Sequence, residues 1–179
     1  MQNEDIKELL LHLKNDEMNY FDEFYNKTKK AVFYMAYSIL RDYELAEDVL
    51  QEVYLKFLKH LKRVDVDKPV IGYLMKIAKN LSLNHLKKKE REVKVEVETI
   101  VSTIGNKTEL VEESELLKKV EKILKPEEFQ IVVLHVISEL THKEIAEITK
   151  RPLGSVTWAY SNAIKKLRRE LENENWRKD

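Results

Sequence analysis

Residues 141–167 read THKEIAEITKRPLGSVTWAYSNAIKKL, and this stretch decides the fold that the sequence predicts. Thr141 and Glu144 form a capping box, in which the hydroxyl accepts a hydrogen bond from the Glu144 backbone and the carboxylate reaches back. The residue before a proline avoids helical angles, so this first helix should end ahead of Pro152. A second helix follows at once. Two helices joined by so tight a turn predict a helix-turn-helix.

The second helix carries side chains that suit DNA. In a helix-turn-helix the exposed face near the start of the second helix enters the major groove. Inward positions are expected at Val156, Tyr160, Ile164 and Leu167. Outward-facing candidates for DNA contact are Ser155, Thr157, Trp158, Ser161, Asn162, Lys165 and Lys166. Asparagine can pair with adenine through two hydrogen bonds, and lysines can reach phosphates.

Each of these features also has a plainer explanation. Helical hairpins with short turns are common, and most of them bind no DNA. Taken alone, Trp158 is better explained by partial burial against a neighbouring helix. The basic run after it is better explained by a solvated face, diluted by nearby glutamates.

Composition favours helices and excludes several classes of function. The 179 residues include only 3 Gly and 3 Pro, whereas sheets need turns that draw on both. The chain has no cysteine, which excludes disulfides and thiolate chemistry. Its 5 His residues lack metal-ligand spacing, and no Gly-rich phosphate loop occurs. We therefore expect no metal, no other cofactor and no enzymatic activity.

Charge and hydropathy predict a soluble protein of the cytoplasm. Lys and Arg number 32, and so do Asp and Glu, so any basic surface must be local. The N-terminus lacks the basic and apolar segments of a signal peptide. No apolar stretch is long enough for a membrane span, so no membrane insertion is expected.

The first half of the chain predicts four amphipathic helices that bury a common core as a small bundle. Apolar residues recur there at helical spacing. Asp42 is a candidate N-cap of the third helix. Asp67, ahead of Pro69, predicts the start of the fourth helix.

The fourth helix carries a basic stripe with an aromatic and two amide side chains. The stripe consists of Tyr73, Lys76, Lys79, Asn80, Asn84, Lys87 and Lys88. Such a surface suits single-stranded DNA, because ammonium groups follow the backbone and bases stack on the ring. Taken alone, it is better explained by a solvated face whose lysine-rich end complements the helix dipole.

Residues 93–112 interrupt the helical pattern and predict an extended, mobile linker. About twenty extended residues reach up to roughly 65 Å, and one turn of duplex DNA is about 34 Å. The fold class expected is all-α: a helical domain over residues 1–92, the linker, and a helix-turn-helix domain over residues 113–179.

Three segments, in order, resemble one known family. Residues 42–57 read DYELAEDVLQEVYLKF, similar to the AEDVxQExF signature of extracytoplasmic-function (ECF) sigma factors. Residues 72–84, GYLMKIAKNLSLN, resemble the Trp-Leu-x-x-Ile-Ala-x-Asn element that follows it, with Tyr73 in place of Trp. Residues 140–167 resemble the C-terminal helix-turn-helix of the same family. The three matches cover nearly the whole chain.

The resemblance implies an alternative sigma factor, the subunit that directs RNA polymerase to particular promoters. Asp48, Gln51 and Glu52 would dock on the core polymerase. The basic stripe and the loop from Val64 to Val70 would bind the melted minus-10 element. The outward side chains of the last helix would read the duplex minus-35 element, and an anti-sigma factor is an implied partner.

Departures from the family pattern leave the minus-35 base preference open. Asn162 stands where the family typically has Arg, and the pair Thr157-Trp158 is unusual. The competing hypotheses are a dimeric helix-turn-helix regulator that acts without core polymerase, and a pure interaction module. The regulator would need a dimerisation surface or ligand pocket, whereas the first half offers an acidic and a basic helix.

Overall fold

A computed structural model of the chain describes residues 2–93 and 118–176, and every regular element within those ranges is helical. The chain divides into two compact units, Met1–Val93 and Lys94–Asp179. The helices are α1 Gln2–Lys14, α2 Phe21–Leu40, α3 Tyr43–His60, α4 Val70–Val93, α5 at residues 118–123, α6 Pro126–Val136, α7 His142–Thr149 and α8 Leu153–Trp176. The expected all-α class is confirmed. The predicted linker lies, apart from Val93, outside the described residues, so the predicted domain boundaries stay a prediction.

The first unit is the predicted bundle, built around α2. This helix packs against α1, α3 and α4. The rings of Phe24 and Phe57 stack across the α2–α3 contact, with centroids 4.9 Å apart, and both side chains are fully buried. Leu10 and Leu13 anchor α1 in the same core. Apolar burial on this scale is the main force that holds the four helices together.

Local hydrogen bonds fix where α3 and α4 begin. The Asp42 carboxylate accepts from the Leu45 N–H at 3.2 Å, which confirms the predicted N-cap. The predicted start of α4 at Asp67 was wrong, because the helix begins at Val70. Asp67 lies in a turn in which its N–H donates to the Asp65 carboxylate at 3.0 Å. The residue preceding Pro69 avoids helical angles, so the helix cannot start before the proline.

The second unit contains the predicted helix-turn-helix, formed by α7 and α8 and backed by α6. Thr141 accepts from the Glu144 N–H at 3.2 Å, and Glu144 accepts from the Thr141 N–H at 2.8 Å, which confirms the capping box. Helix α7 ends at Thr149, and Lys150 adopts a left-handed conformation with φ 59°. The turn that follows is short enough to hold the two helices side by side.

The inward face of α8 differs in part from its prediction. Val156 is buried as expected, but Tyr160, Ile164 and Leu167 are only half-buried. The buried stripe instead continues through Ala159 and Ala163. At about 100° per residue, Val156, Ala159 and Ala163 share one side of α8, and Tyr160, Ile164 and Leu167 fall beside it.

Truncation at the centre of the first unit should be costly. We expect Phe57→Ala to lower the free energy of unfolding by about 3–5 kcal/mol, because it removes a stacked, fully buried ring and leaves a cavity. Leu55→Ala on the same helix is the matched control and should change stability by less than about 0.5 kcal/mol, since Leu55 is exposed. Urea unfolding of the full chain followed by circular dichroism measures both. Equal losses in the two variants would contradict this core assignment.

Candidate nucleic-acid and polymerase interface

The acidic and amide side chains of α3 lie on its solvent face. Asp48 and Gln51 are exposed, whereas Val49, Val53 and Phe57 on the opposite face are completely buried. Leu55 lies one turn beyond Gln51 and is 69% exposed. An apolar side chain so exposed beside an acid and an amide is a composition suited to contact with a protein partner.

Glu52, the third residue predicted on this face, is placed differently. Its carboxylate lies 2.9 Å from the Nε2 of His85, a residue of α4. Glu52 is half-buried, so this contact links α3 to α4 instead of leaving the carboxylate fully in solvent. The exposed part of the predicted docking face is therefore Asp48 and Gln51, with Leu55 added.

The predicted basic stripe follows the outer side of α4. Lys76, Asn80, Asn84, Lys87 and Lys88 are exposed, and Tyr73 and Lys79 are half-buried. Leu74, Met75 and Ala78 point into the core with no exposure and fix this orientation. The structure thus brings the predicted residues together on one side of one helix.

The loop before α4 is held by side chains of α1 and by its own carboxylate. The Lys14 ammonium donates to the Val64 carbonyl at 2.5 Å. The Lys62 ammonium in turn donates to the Lys14 carbonyl at 2.7 Å. The Asp67 backbone N–H, and then Lys68, lower the pKa of Asp65 through hydrogen bonds to its carboxylate. These contacts give the loop a defined shape next to the basic stripe.

Most predicted DNA-contacting residues of α8 form an exposed surface. With about 3.6 residues per turn, Thr157, Trp158, Ser161 and Lys165 fall within an arc of about 100° opposite the buried stripe. All four are exposed, and Trp158 is 69% exposed, so the alternative of partial burial is wrong for it. Ser155 is also exposed and lies about 60° beyond this arc, at the start of the helix.

Asn162 and Lys166 lie on a flank of α8 and are half-buried. The Asn162 amide donates to Glu128 of α6 at 2.5 Å, and the Lys166 ammonium donates to both oxygens of the same carboxylate at 2.7 and 2.8 Å. Burial alone would raise the pKa of Glu128, but the hydrogen bonds from Lys166, the Lys125 backbone and Asn162 outweigh it and lower the pKa. Sequence reasoning missed Glu128 altogether.

The opposite flank of α8 meets an aromatic cluster formed by His135, His142 and Tyr160. The ring centroids lie 4.7–4.9 Å apart. His135 Nδ1 lies 2.8 Å from the Leu140 carbonyl, and His142 Nδ1 lies 3.3 Å from the Thr157 hydroxyl. Burial, followed by the nearby His135, lowers the pKa of His142 from its ordinary 6.5. The cluster therefore contacts α8 at Thr157.

The described residues contain neither a candidate metal site nor a candidate membrane span. Among residues 2–93 and 118–176 no cluster of three or more His, Asp or Glu side chains is arranged to hold a metal ion. Within the same ranges no helix combines the length and apolar character needed to cross a bilayer.

Two protein families match the chain, one in each unit. Sigma-70 region 2 matches residues 24–92, which span α2 to α4. Sigma-70 region 4 matches residues 122–167, which include α6, α7 and the start of α8. Helix α1 lies outside both matches.

Curated relatives match over most of their length. The ECF RNA polymerase sigma factor SigW of Bacillus subtilis is 26% identical, over 94% of this chain and 97% of its own. The ECF sigma factor SigM of Bacillus subtilis is 28% identical over 71% of this chain and 80% of its own. The ECF sigma factor SigK of Mycobacterium tuberculosis is 22% identical, over 94% of both chains.

Solved structures share the fold. The sigma factor RpoE of Bartonella quintana, in complex with the anti-sigma factor NepR, matches with a TM-score of 0.63 and 19% identity, over 85% of this chain and 96% of its own. CnrH, in complex with the cytosolic domain of CnrY, matches with a TM-score of 0.61 and 18% identity, over 97% and 99% of the chains.

The chain belongs to the sigma-70 family and to its extracytoplasmic-function group. It is therefore an alternative sigma factor, which directs RNA polymerase to particular promoters. Proteins of this family act as DNA-binding initiation factors. The alternative of a dimeric regulator that works without polymerase is not favoured.

The lowered pKa of His142 predicts a pH effect on stability. The folded chain binds this proton less readily than the unfolded chain, so acidification below about pH 6.5 favours unfolding. Replacing the imidazole by an amide in His142→Gln removes this term. As the pH falls through this range, the melting temperature of the variant should rise relative to that of the parent.

The matched control for the pH experiment is His60→Gln, because His60 is exposed on α3. Thermal unfolding of all three proteins at a series of pH values measures the effect. A constant difference between His142→Gln and the parent would contradict the assignment.

Proposed function

We propose that each helical unit binds a different element of a promoter, and that the first unit also binds the polymerase. The first unit would bind core enzyme through α3 and the melted minus-10 element through α4. The second would read the duplex minus-35 element through α8. The observation that carries this proposal is that each of these helices buries an apolar stripe and exposes a distinct polar surface, acidic on α3 and basic on α4.

Core binding is assigned to Asp48 and Gln51, with Leu55 as an added apolar contact. Their exposure supports the assignment, since a docking residue must be accessible before the partner arrives. Glu52 is assigned a second role, because its contact with His85 ties the docking helix to the DNA-binding helix. Movement of α3 on the polymerase would thereby be passed to α4 through one polar contact and the shared core.

Binding of the melted minus-10 element is assigned to the basic stripe of α4. Lys76 and Asn80 lie one turn apart on its outer side and can follow successive backbone groups of a single strand. Tyr73 at the start of the helix offers an aromatic face on which a base can stack. The loop from Val64 to Val70, shaped by Lys14 and Asp65, is proposed to receive a flipped base.

Reading of the minus-35 element is assigned to Thr157, Trp158 and Ser161, with Ser155 and Lys165 on phosphates. A hydroxyl is compatible with several base edges, and an exposed ring can contact a thymine methyl. Near-zero net charge gives little long-range attraction to DNA, so promoter contact would depend on the polymerase.

We further propose a cytoplasmic location and regulation by an anti-sigma factor. The bound partners of RpoE and CnrH support this, because NepR is an anti-sigma factor and CnrY contributes a cytosolic domain. The surfaces available for such a partner in this chain include the exposed face of α3, where Leu55 would bury well against a protein.

Removal of the exposed docking groups should weaken the complex with core polymerase. We expect Asp48→Ala with Gln51→Ala to lower affinity about tenfold, equivalent to ~1.4 kcal/mol, because both side chains lose their partners on the polymerase. The matched control is Asp22→Ala with Asn26→Ala, an exposed acid and amide on α2. Fluorescence anisotropy of labelled protein titrated with core enzyme measures both. Unchanged affinity in the α3 variant would refute the docking assignment.

Loss of the polar groups on α4 should impair promoter opening while sparing assembly. We expect Lys76→Ala with Asn80→Ala to reduce permanganate reactivity of bubble thymines about tenfold, equivalent to ~1.4 kcal/mol, since the ammonium and amide contacts to the single strand are lost. Core affinity should stay at the parental value. Asn26→Ala with Lys30→Ala, the same pair of residue types on α2, is the control. Full reactivity in the α4 variant would count against this role.

A further inference from the structure

We propose that Glu128 is a positioning residue for minus-35 recognition, and that Asn162 and Lys166 hold α8 in place through it instead of contacting DNA. The inference rests on the proposed function, because it specifies how α8 is presented to the duplex. It also changes the set of reading residues that the sequence predicted.

The first observation is the burial of the Glu128 carboxylate. The residue is 3% exposed, and it is the only acidic residue that is buried among the described parts of the chain. A buried carboxylate is costly unless hydrogen bonds and a counter-charge compensate it. Here the Lys166 ammonium, the Asn162 amide and the Lys125 backbone N–H all donate to it, the last at 2.9 Å. Both of its oxygens are thus used within the protein.

The second observation is the spacing of the two donors on α8. Asn162 and Lys166 are four residues apart, so they lie one above the other on a single flank of the helix. One carboxylate on α6 therefore accepts hydrogen bonds from two successive turns of α8. Tyr160, packed against His135 and His142, supports the opposite flank. Held on both sides, α8 can neither rotate nor slide without breaking polar contacts or aromatic packing.

Between these two supported flanks lies the exposed surface of α8. It carries Thr157, Trp158, Ser161 and Lys165. Rotation of α8 by one residue position would move each of these side chains by about 100° around the axis. Base reading needs side chains aimed with much greater accuracy than that. Glu128 would thus set the direction from which α8 meets the groove.

The same contacts remove Asn162 and Lys166 from DNA recognition. Bidentate pairing of asparagine with adenine needs the amide nitrogen and oxygen to face the base edge together, and the half-buried amide of Asn162 is turned towards Glu128 instead. The Lys166 charge is neutralised by the same carboxylate. It would therefore release no counterion from the duplex on binding, whereas the exposed Lys165 would.

Salt dependence of holoenzyme binding to promoter DNA separates the two lysines. The variants are Lys165→Met, and Glu128→Gln combined with Lys166→Met, which removes both charges and leaves no unpaired buried carboxylate. Lys165→Met should reduce the slope of log affinity against log salt by roughly 0.9, the value for one phosphate contact on duplex DNA. The double variant should keep the parental slope while its affinity falls. A loss of slope in the double variant equal to that in Lys165→Met would overturn the proposal.

A scan of minus-35 variants in run-off transcription tests Asn162 separately. Asn162→Ala should lower transcription from all variants by a similar factor and leave their ranking unchanged. Thr157→Ala and Ser161→Ala should change the ranking. An altered preference at one base position in Asn162→Ala would identify it as a reader and refute the inference.

Failure of the proposed role of α8 can be distinguished from failure of the role of Glu128. If Lys165→Met leaves the slope unchanged and neither Thr157→Ala nor Ser161→Ala alters the ranking, the proposed role of α8 itself is wrong. If these variants behave as expected and only the Asn162 or Lys166 result fails, the role of α8 stands and the role of Glu128 does not.

Discussion

Burial of one apolar stripe on each helix is the constraint from which the functional surfaces of this sigma factor follow. Val49, Val53 and Phe57 are fully enclosed, so Asp48 and Gln51 must face solvent. The same logic places the basic stripe of α4 opposite Leu74 and Ala78. Since residues on a helix are about 100° apart, a rotation that buried the preceding residues of α3 or the following residues of α4 would bury Asp48 or Lys76. The packing of the core therefore determines which residues are exposed, in addition to stabilising each unit.

Pairing of charges then determines which cations remain for DNA. Lysines and arginines equal the acids in number across the chain, so any basic surface must be local. Lys166 is paired with a buried carboxylate, and Lys62 lies 2.7 Å from an oxygen of Asp16. Exposed lysines proposed for DNA contact include Lys76 and Lys87 on α4 and Lys165 on α8. On the proposed function, such a protein would gain specificity from the placement of these cations and would depend on polymerase for affinity.

Sequence was a good guide wherever the deciding interaction is local. The Asp42 and Thr141 caps each involve residues three positions apart, and the stripes of α3 and α4 follow helical periodicity. Prediction failed where the deciding contact joins residues far apart in the sequence. Glu128 lies 34 positions from Asn162 and 38 from Lys166. The exposure of Trp158 likewise follows from the burial of the opposite side of α8, which the sequence alone did not locate. Leu55 was not singled out, because single apolar residues are common on protein surfaces.

The most direct measurement of the central claim is run-off transcription on a pool of genomic promoter fragments, with purified core polymerase in the presence and absence of this protein. The account predicts transcripts that require the protein and that start downstream of shared minus-10 and minus-35 elements. If core enzyme supplemented with the folded protein initiates at no promoter beyond those of core alone, the account is contradicted.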